Sequence, residues 1–207
     1  MKQIITVFLI AFCTIGLNAY CQSPVDLSEF EYSSDGVVYI SQTDSLVGKI
    51  IFSELSPGQL SLVIDGEKDK KFKAKEVVGF KINNPAKNFI SVKSDGLEKS
   101  ILFYENTSPR GAKLYLLKYF EAEASVAGTK INGGKVQGSW RTSIYSPDSG
   151  KILPSGNKKL AEALKDCPEL AAKVAKKEKG YSVGMIAMPG ATDQLNERIV
   201  QEYNACN

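Results

Sequence analysis

The stretch "SLVGKIIFSELSPGQLSLVI", Ser45 to Ile64, sets two apolar segments on either side of a Ser-Pro-Gly turn. Leu46, Gly48, Ile50 and Phe52 fall at every second position, so an extended chain places them on one face. Proline supplies a fixed φ and glycine tolerates a positive one, which makes the three residues between the segments a turn. The pair is read as an antiparallel hairpin. The same rhythm continues outward on both sides. "GVVYI" (36–40) precedes it, and "KFKAKEVVGFKI" (71–82), "NFISVKS" (88–94), "SILFYE" (100–105) and "AKLYLLKYF" (112–120) follow. They are separated by the turn sequences "DGEKD", "NNPAKN", "SDG" and "SPRG". Short strands at such regular spacing predict an antiparallel meander folded as a barrel or sandwich.

The segment "KFKAKEVVGFKI" is read as one strand. Phe72, Ala74, Val78, Phe80 and Ile82 share a face interrupted only by Glu76, while Lys71, Lys73, Lys75 and Lys81 point away or cap the strand. The basic run is then the solvated side of a strand, with a site for an anionic surface or polymer as the alternative. Residues 127–151 are rich in glycine and poor in aliphatics, which predicts long hairpins or a loop. They hold Trp140, beside Arg141 and close to Tyr145. An aromatic next to an arginine can stack on a sugar or base, so these three are candidate ligand-binding residues. The alternative is that Trp140 pins the segment onto the sheet.

After Pro154 the period changes from two to about 3.6. Leu160, Leu164, Cys167, Ala171 and Val174 then recur on one helical face. Pro168 disfavours helical geometry at Cys167, so one helix should end there and a second begin at once, with Asp166 and Glu169 at capping-box spacing. Thr192 or Asp193 should cap a last helix with Leu195, Ile199, Tyr203 and Cys206 on one side. The expected class is α+β, mainly β, with C-terminal helices packed on the β-rich part.

The chain opens "MKQIITVFLIAFCTIGLNAYCQS", a lysine followed by an apolar run from Ile4 to Leu17 and then polar residues. That is the pattern of a secretory signal, and the run is shorter than the ~20 residues a membrane helix needs. The expected organisation is a signal over 1–21, a β-rich domain over 22–155 and a helical segment over 156–207. No transmembrane segment is expected after processing. Lipidation of Cys21 is the alternative to cleavage before Gln22, although Tyr20 and Asn18 depart from the residues a lipoprotein signal prefers. The expected location is the periplasm, the outer-membrane surface or the medium. Cys167 and Cys206 are the cysteines that survive cleavage; both sit on apolar helix faces in a chain bound for an oxidising compartment. They are read as one structural disulfide.

Taken in order, "KAKEVVGFKI", "KLYLLKYF", "CPELAAKV" and the terminal "IVQEYNAC" resemble an uncharacterised family of exported proteins of Bacteroidetes-type bacteria. The resemblance covers most of the chain after the signal and departs from the family in the longer "YSVGMIAMPGATD" segment. It implies export and this architecture; the family has no established activity to carry over.

The chain contains no histidine, which removes Ser-His-Asp and Cys-His catalysis and the usual zinc ligand sets. No glycine-rich phosphate loop opens a helix after a strand, so no nucleotide or other cofactor is expected. Signal removal takes Lys2 from the 26 basic residues and leaves 25 against 23 acidic ones, with the lysines dispersed, so nucleic acid is not an expected partner. Glu121 and Glu123 could lie ~7 Å apart on one strand face and serve a glycosidase, or form a solvated strand end. Ser45 in "DSL" is a candidate O-glycosylation acceptor, and Asn106-Thr107-Ser108 matches the N-glycosylation sequon. The leading expectation is a non-catalytic envelope or secreted protein that works through contacts with an envelope protein. A binding module for glycan or a small apolar ligand and a carboxylate-based hydrolase are the alternatives.

Overall fold

The computed structural model describes residues 25–94, 100–122, 124–125, 128–129, 131–132, 135–182 and 190–206. The segment read as a signal, including Cys21, lies outside them, as do Glu123 and residues 183–189 before the last helix. The chain divides into two compact units. In one, formed within 25–29 and 122–139, Val25–Asp26 pairs antiparallel with Lys135–Val136, which pairs in turn with Ile131–Asn132, and Ala124–Ser125 pairs with Gly128–Thr129. The other, Phe30–Glu121 with Trp140–Asn207, holds the large sheet together with the helices. The change of period near residue 155 therefore does not mark a boundary between units.

The large sheet has ten strands: β1 (Glu31–Tyr39), β2 (Ser45–Ser53), β3 (Gln59–Val63), β4 (Lys70–Lys73), β5 (Gly79–Ile82), β6 (Lys87–Lys93), β7 (Ile101–Asn106), β8 (Tyr115–Ala122), β9 (Gly138–Ser146) and β10 (Lys151–Ile152). Their order is β10-β9-β8-β7-β6-β5-β1-β2-β3-β4, and the two end strands do not pair, so the sheet is mainly a meander that stays open. The hairpin expected over Ser45–Ile64 forms, with β2 and β3 paired antiparallel from Lys49↔Val63 to Phe52↔Leu60, and β1 pairs with the other edge of β2 from Glu31↔Ser53 to Tyr39↔Ser45.

The segment 71–82 is two strands, not one. Between β4 and β5 the chain makes a 3-10 turn, Ala74–Glu76, in which the Glu76 carboxylate accepts from the Lys73 backbone N–H at 2.9 Å. A 3-10 turn aligns residues three apart. Ala74 and Val77 are accordingly buried, and Val78, expected inside, is exposed. The link also dictates curvature. In a flat sheet β4 and β5 would stand four strand spacings apart, about 19 Å, further than five residues with a tight turn among them can reach. The strands must coil, and Tyr32, Val38, Ile50, Phe52, Leu60, Leu62, Phe80, Ile82, Phe89 and Phe103 fill the inside of the coil. Phe80 stacks on Phe89 there at 4.6 Å between ring centres, and Phe52 meets both edge-on at 4.8 and 4.9 Å. One main-chain bond, Phe103 N–H to the Pro57 carbonyl at 2.8 Å, spans the gap between β7 and the turn before β3.

Beyond β6 the sheet curls toward its other face. Val92, Tyr104 and Leu117 are buried there among Tyr115, Tyr119, Tyr145 and Ile152, and β10 comes within reach of β6. The opposite face of β8 and β9 receives the helices α1 (Asn157–Ala163), α2 (Pro168–Ala175) and α3 (Ala191–Ala205). Leu114 and Ile144 from the sheet side pack with Leu160, Leu164, Cys167, Leu170, Val174, Leu195, Ile199 and Val200.

The helix ends differ from the expected caps. Cys167, at φ −122° and ψ 79° and so outside the helical region that a following proline disfavours, is the N-cap of α2 with Pro168 in its first turn, and no side chain caps it. Gly190 precedes α3 at φ +79°, a conformation glycine adopts without strain, and Asp193 turns away to the sheet instead of capping. Of the two forms expected for residues 127–151, the structure shows hairpins: Ile131–Asn132 pairs with Lys135–Val136, and β9, held by partners of Trp140, Thr142 and Ile144, pairs with β10.

Candidate functional site

At one end of the first core, strands β1, β6 and β7 and the residue after β2 bring four polar side chains together. The Lys87 ammonium donates to the Tyr32 hydroxyl at 2.7 Å, to Glu54 Oε1 at 3.0 Å and to Glu105 Oε2 at 3.0 Å. Tyr32 also donates to the Glu54 carboxylate. Glu54 is the buried charged residue of the core, with its side chain 5% exposed. Register explains the meeting: Phe89 stands opposite Glu105 and Glu105 opposite Lys118, so Lys87, two residues before Phe89, shares their face.

Burial opposes charge on Lys87, and the hydrogen bonds from it to Tyr32, Glu54 and Glu105 overcome that and hold its pKa above the ordinary lysine value. Burial, reinforced by the Glu54 contact, pushes Tyr32 up to about 12. Burial likewise raises Tyr119. All three donors of the Lys87 ammonium are thus committed to partners within the cluster. A small cavity of about 90 Å³ borders Glu54, Glu105 and Lys118.

Trp140 closes this end. Its ring stacks on Phe30 at 5.6 Å, meets Phe120 edge-on at 5.4 Å and lies under Lys118 Nζ at 4.4 Å. Arg141, its neighbour, points to the other face, where it pairs with the exposed Glu121 at 3.0 Å. Tyr145 lies with Tyr115, ring centres 6.2 Å apart, on that second face. The structure places Trp140 as a packing contact and does not bring Tyr145 to it. Thr142, between them, binds Asp193 through its backbone N–H at 2.7 Å and its hydroxyl at 3.0 Å, and accepts from Asn196.

Comparison with protein-family models, with characterised proteins and with solved structures finds no match to this chain. The site must be read from its own geometry. A cavity of about 1120 Å³ lies over Tyr104 and Tyr119 beside the Leu153–Leu160 segment and carries Lys158, Lys159 and Lys177, with no acidic side chain among its described walls. Among the described residues no group of three metal-binding side chains gathers, and no helix is long and apolar enough to cross a membrane.

Ser45 is exposed at the start of β2. Cys167 and Cys206 are joined, with Cα atoms 6.0 Å apart. The cluster of Tyr32, Glu54, Lys87 and Glu105 went unread in the sequence because its members lie far apart in the chain. The signal available was a charge at an inward position beside a core aromatic, as in Lys87-Asn88-Phe89 and Phe103-Tyr104-Glu105.

Proposed function

We propose that this chain is a non-catalytic exported protein of the cell envelope or its surroundings that works through protein contacts. The observation that carries the reading is an apolar stripe on the solvent face of β1 and β2. Half-buried Val37 stands directly opposite Val47, which is 69% exposed, and Ile51, at 46%, lies on the same face beyond the charged row of Asp35 and Lys49. Adjacent apolar residues on a water-facing sheet surface mark an interaction site more often than isolated ones do. The self-contained charge cluster supports the non-catalytic part, since its ammonium keeps no donor for a reacting group. Export is supported by the signal pattern and by the disulfide, which suits an oxidising compartment. Crosslinking in intact cells followed by mass spectrometry is the test. A specific partner should be recovered with the wild type and lost with Val47→Lys plus Ile51→Lys at unchanged melting temperature, and the purified chain should begin at Gln22 without a lipid mass. Undiminished recovery with the double variant would remove the stripe as the contact.

A further inference from the structure

A groove of about 450 Å³ crosses the solvent face of β5 and β6, and its Lys81 pairs with Val37 at the border of the Val47 surface. Register builds it. Gly79 pairs with Tyr39 on one side and with Ile90 on the other, so these three form a row across the sheet whose middle member has no side chain. Tyr39 and Ile90 stand two strand spacings apart, about 10 Å, and the buried Gly79 forms the floor of the gap between them. No larger residue could fill it, because a Cβ at position 79 would lie 2.2 Å from the Phe89 carbonyl oxygen. The next row is polar: Lys81 pairs with Asn88, and Asn106 follows beside it on β7. Asn106 already accepts the Ser108 N–H through its carbonyl oxygen at 3.0 Å, which leaves its NH₂ group as the donor. Tyr115 and the exposed Arg110 complete the walls.

One long side of the groove is thus aromatic and aliphatic, the other amide and cationic. No carboxylate lines it, and neither Lys81 nor Arg110 belongs to an ion pair among the described residues. We propose that the groove binds an acidic oligosaccharide. Sugar rings present an apolar face to Tyr39 and Tyr115, their hydroxyls meet Asn88 and Asn106, and a carboxylate or sulfate pairs with Lys81 and Arg110. A purely apolar ligand would bury the amide row unpaired, and a neutral glycan would leave both cations unused. The volume falls within the range of small-ligand clefts.

The full-length exported chain, with its disulfide intact, is to be screened on an array of uronate, sialylated and sulfated oligosaccharides beside neutral counterparts of equal length, and the hits titrated by calorimetry. Binding confined to the acidic sugars is expected. Lys81→Gln with Arg110→Gln should weaken it at least tenfold and flatten its salt dependence, and Tyr39→Ala should weaken it at least tenfold at unchanged melting temperature. Equal binding of neutral sugars, retention of affinity in these variants, or no binding to any of the acidic sugars would overturn the proposal. The proposal does not rest on the protein-contact reading: Val47 and Ile51 lie outside the groove, so the two can fail separately.

Discussion

Lys87 is one residue holding three partners, and its replacement shows what the cluster contributes. Removing the ammonium leaves Glu54 and Glu105 as charges inside the sheet without their cation, a situation that costs about 3–5 kcal/mol when one member of a buried pair is deleted. Lys87→Met should therefore lower stability by about that amount in urea unfolding near neutral pH, and adding Glu54→Gln should restore part of it. A smaller loss in the single variant, with no recovery in the double, would show that the carboxylates are compensated elsewhere. The same cluster should make the protein sensitive to alkali. Tyr32 titrates at about 12 in the folded chain against 10.0 unfolded. The folded state holds that proton more tightly, so its contribution is fully present below pH 10 and is lost as pH rises toward 12. Nothing local in the sequence revealed this group, since Tyr32 and Glu105 are separated by most of the first half of the sheet. By contrast, Cys167 with Cys206 could be paired from the chain alone, because reading residues 1–21 as a signal leaves both with no other cysteine to join.

Among elements, legibility followed how local the deciding force was. Strand β2 runs over the same residues as its quoted apolar alternation, Ser45–Ser53, since period-two burial alone defines it. The 71–82 segment misled because Phe72, Ala74, Phe80 and Ile82 keep one parity across a 3-10 turn; the solitary Glu76 in that row was the mark of the turn, where it caps the backbone of Lys73. Helix faces were legible to within a residue, with Leu170 buried where Ala171 was expected. Helix caps were less so, because Asp193 is drawn to Thr142 by tertiary contact. The α2–α3 junction gives an acid test. Glu202 accepts from the Tyr181 hydroxyl and from Lys173 Nζ at 3.2 Å, and the Tyr181 hydrogen bond, followed by Lys173, holds its carboxyl below the ordinary value of 4.5. A depressed carboxylate stabilises above its unfolded pKa and loses that contribution as pH falls through the folded one. Glu202→Gln should thus melt below the wild type at neutral pH, and the two should converge in acid. A difference that persists unchanged into acid would assign the effect to packing.

At the scale of the larger unit, the sheet's first coil and the helical layer are filled by separate sets of side chains: no residue of the core around Phe52, Phe80 and Phe89 belongs to the core around Leu164, Val174 and Ile199. Stability should be separable along that line. The disulfide acts on the second core alone, closing a loop with a sequence separation of 39, for which chain entropy gives about 4 kcal/mol as an upper figure. Two further ties hold the same end of α3. Asn204 exchanges hydrogen bonds with both backbone groups of Leu114, at 2.8 and 2.9 Å, and Lys113 donates to the Cys206 carbonyl. Cys167→Ala with Cys206→Ala should therefore loosen the helices without releasing α3 outright. Native-state hydrogen exchange reads this directly. Amides of α2 and α3 should exchange faster in the double variant, while those of β1, β2 and β3 keep their protection, and adding Asn204→Ala should carry the helical amides the rest of the way. Equal acceleration in the first coil would mean that the two cores open as one, and that the chain has a single cooperative unit where its packing draws two.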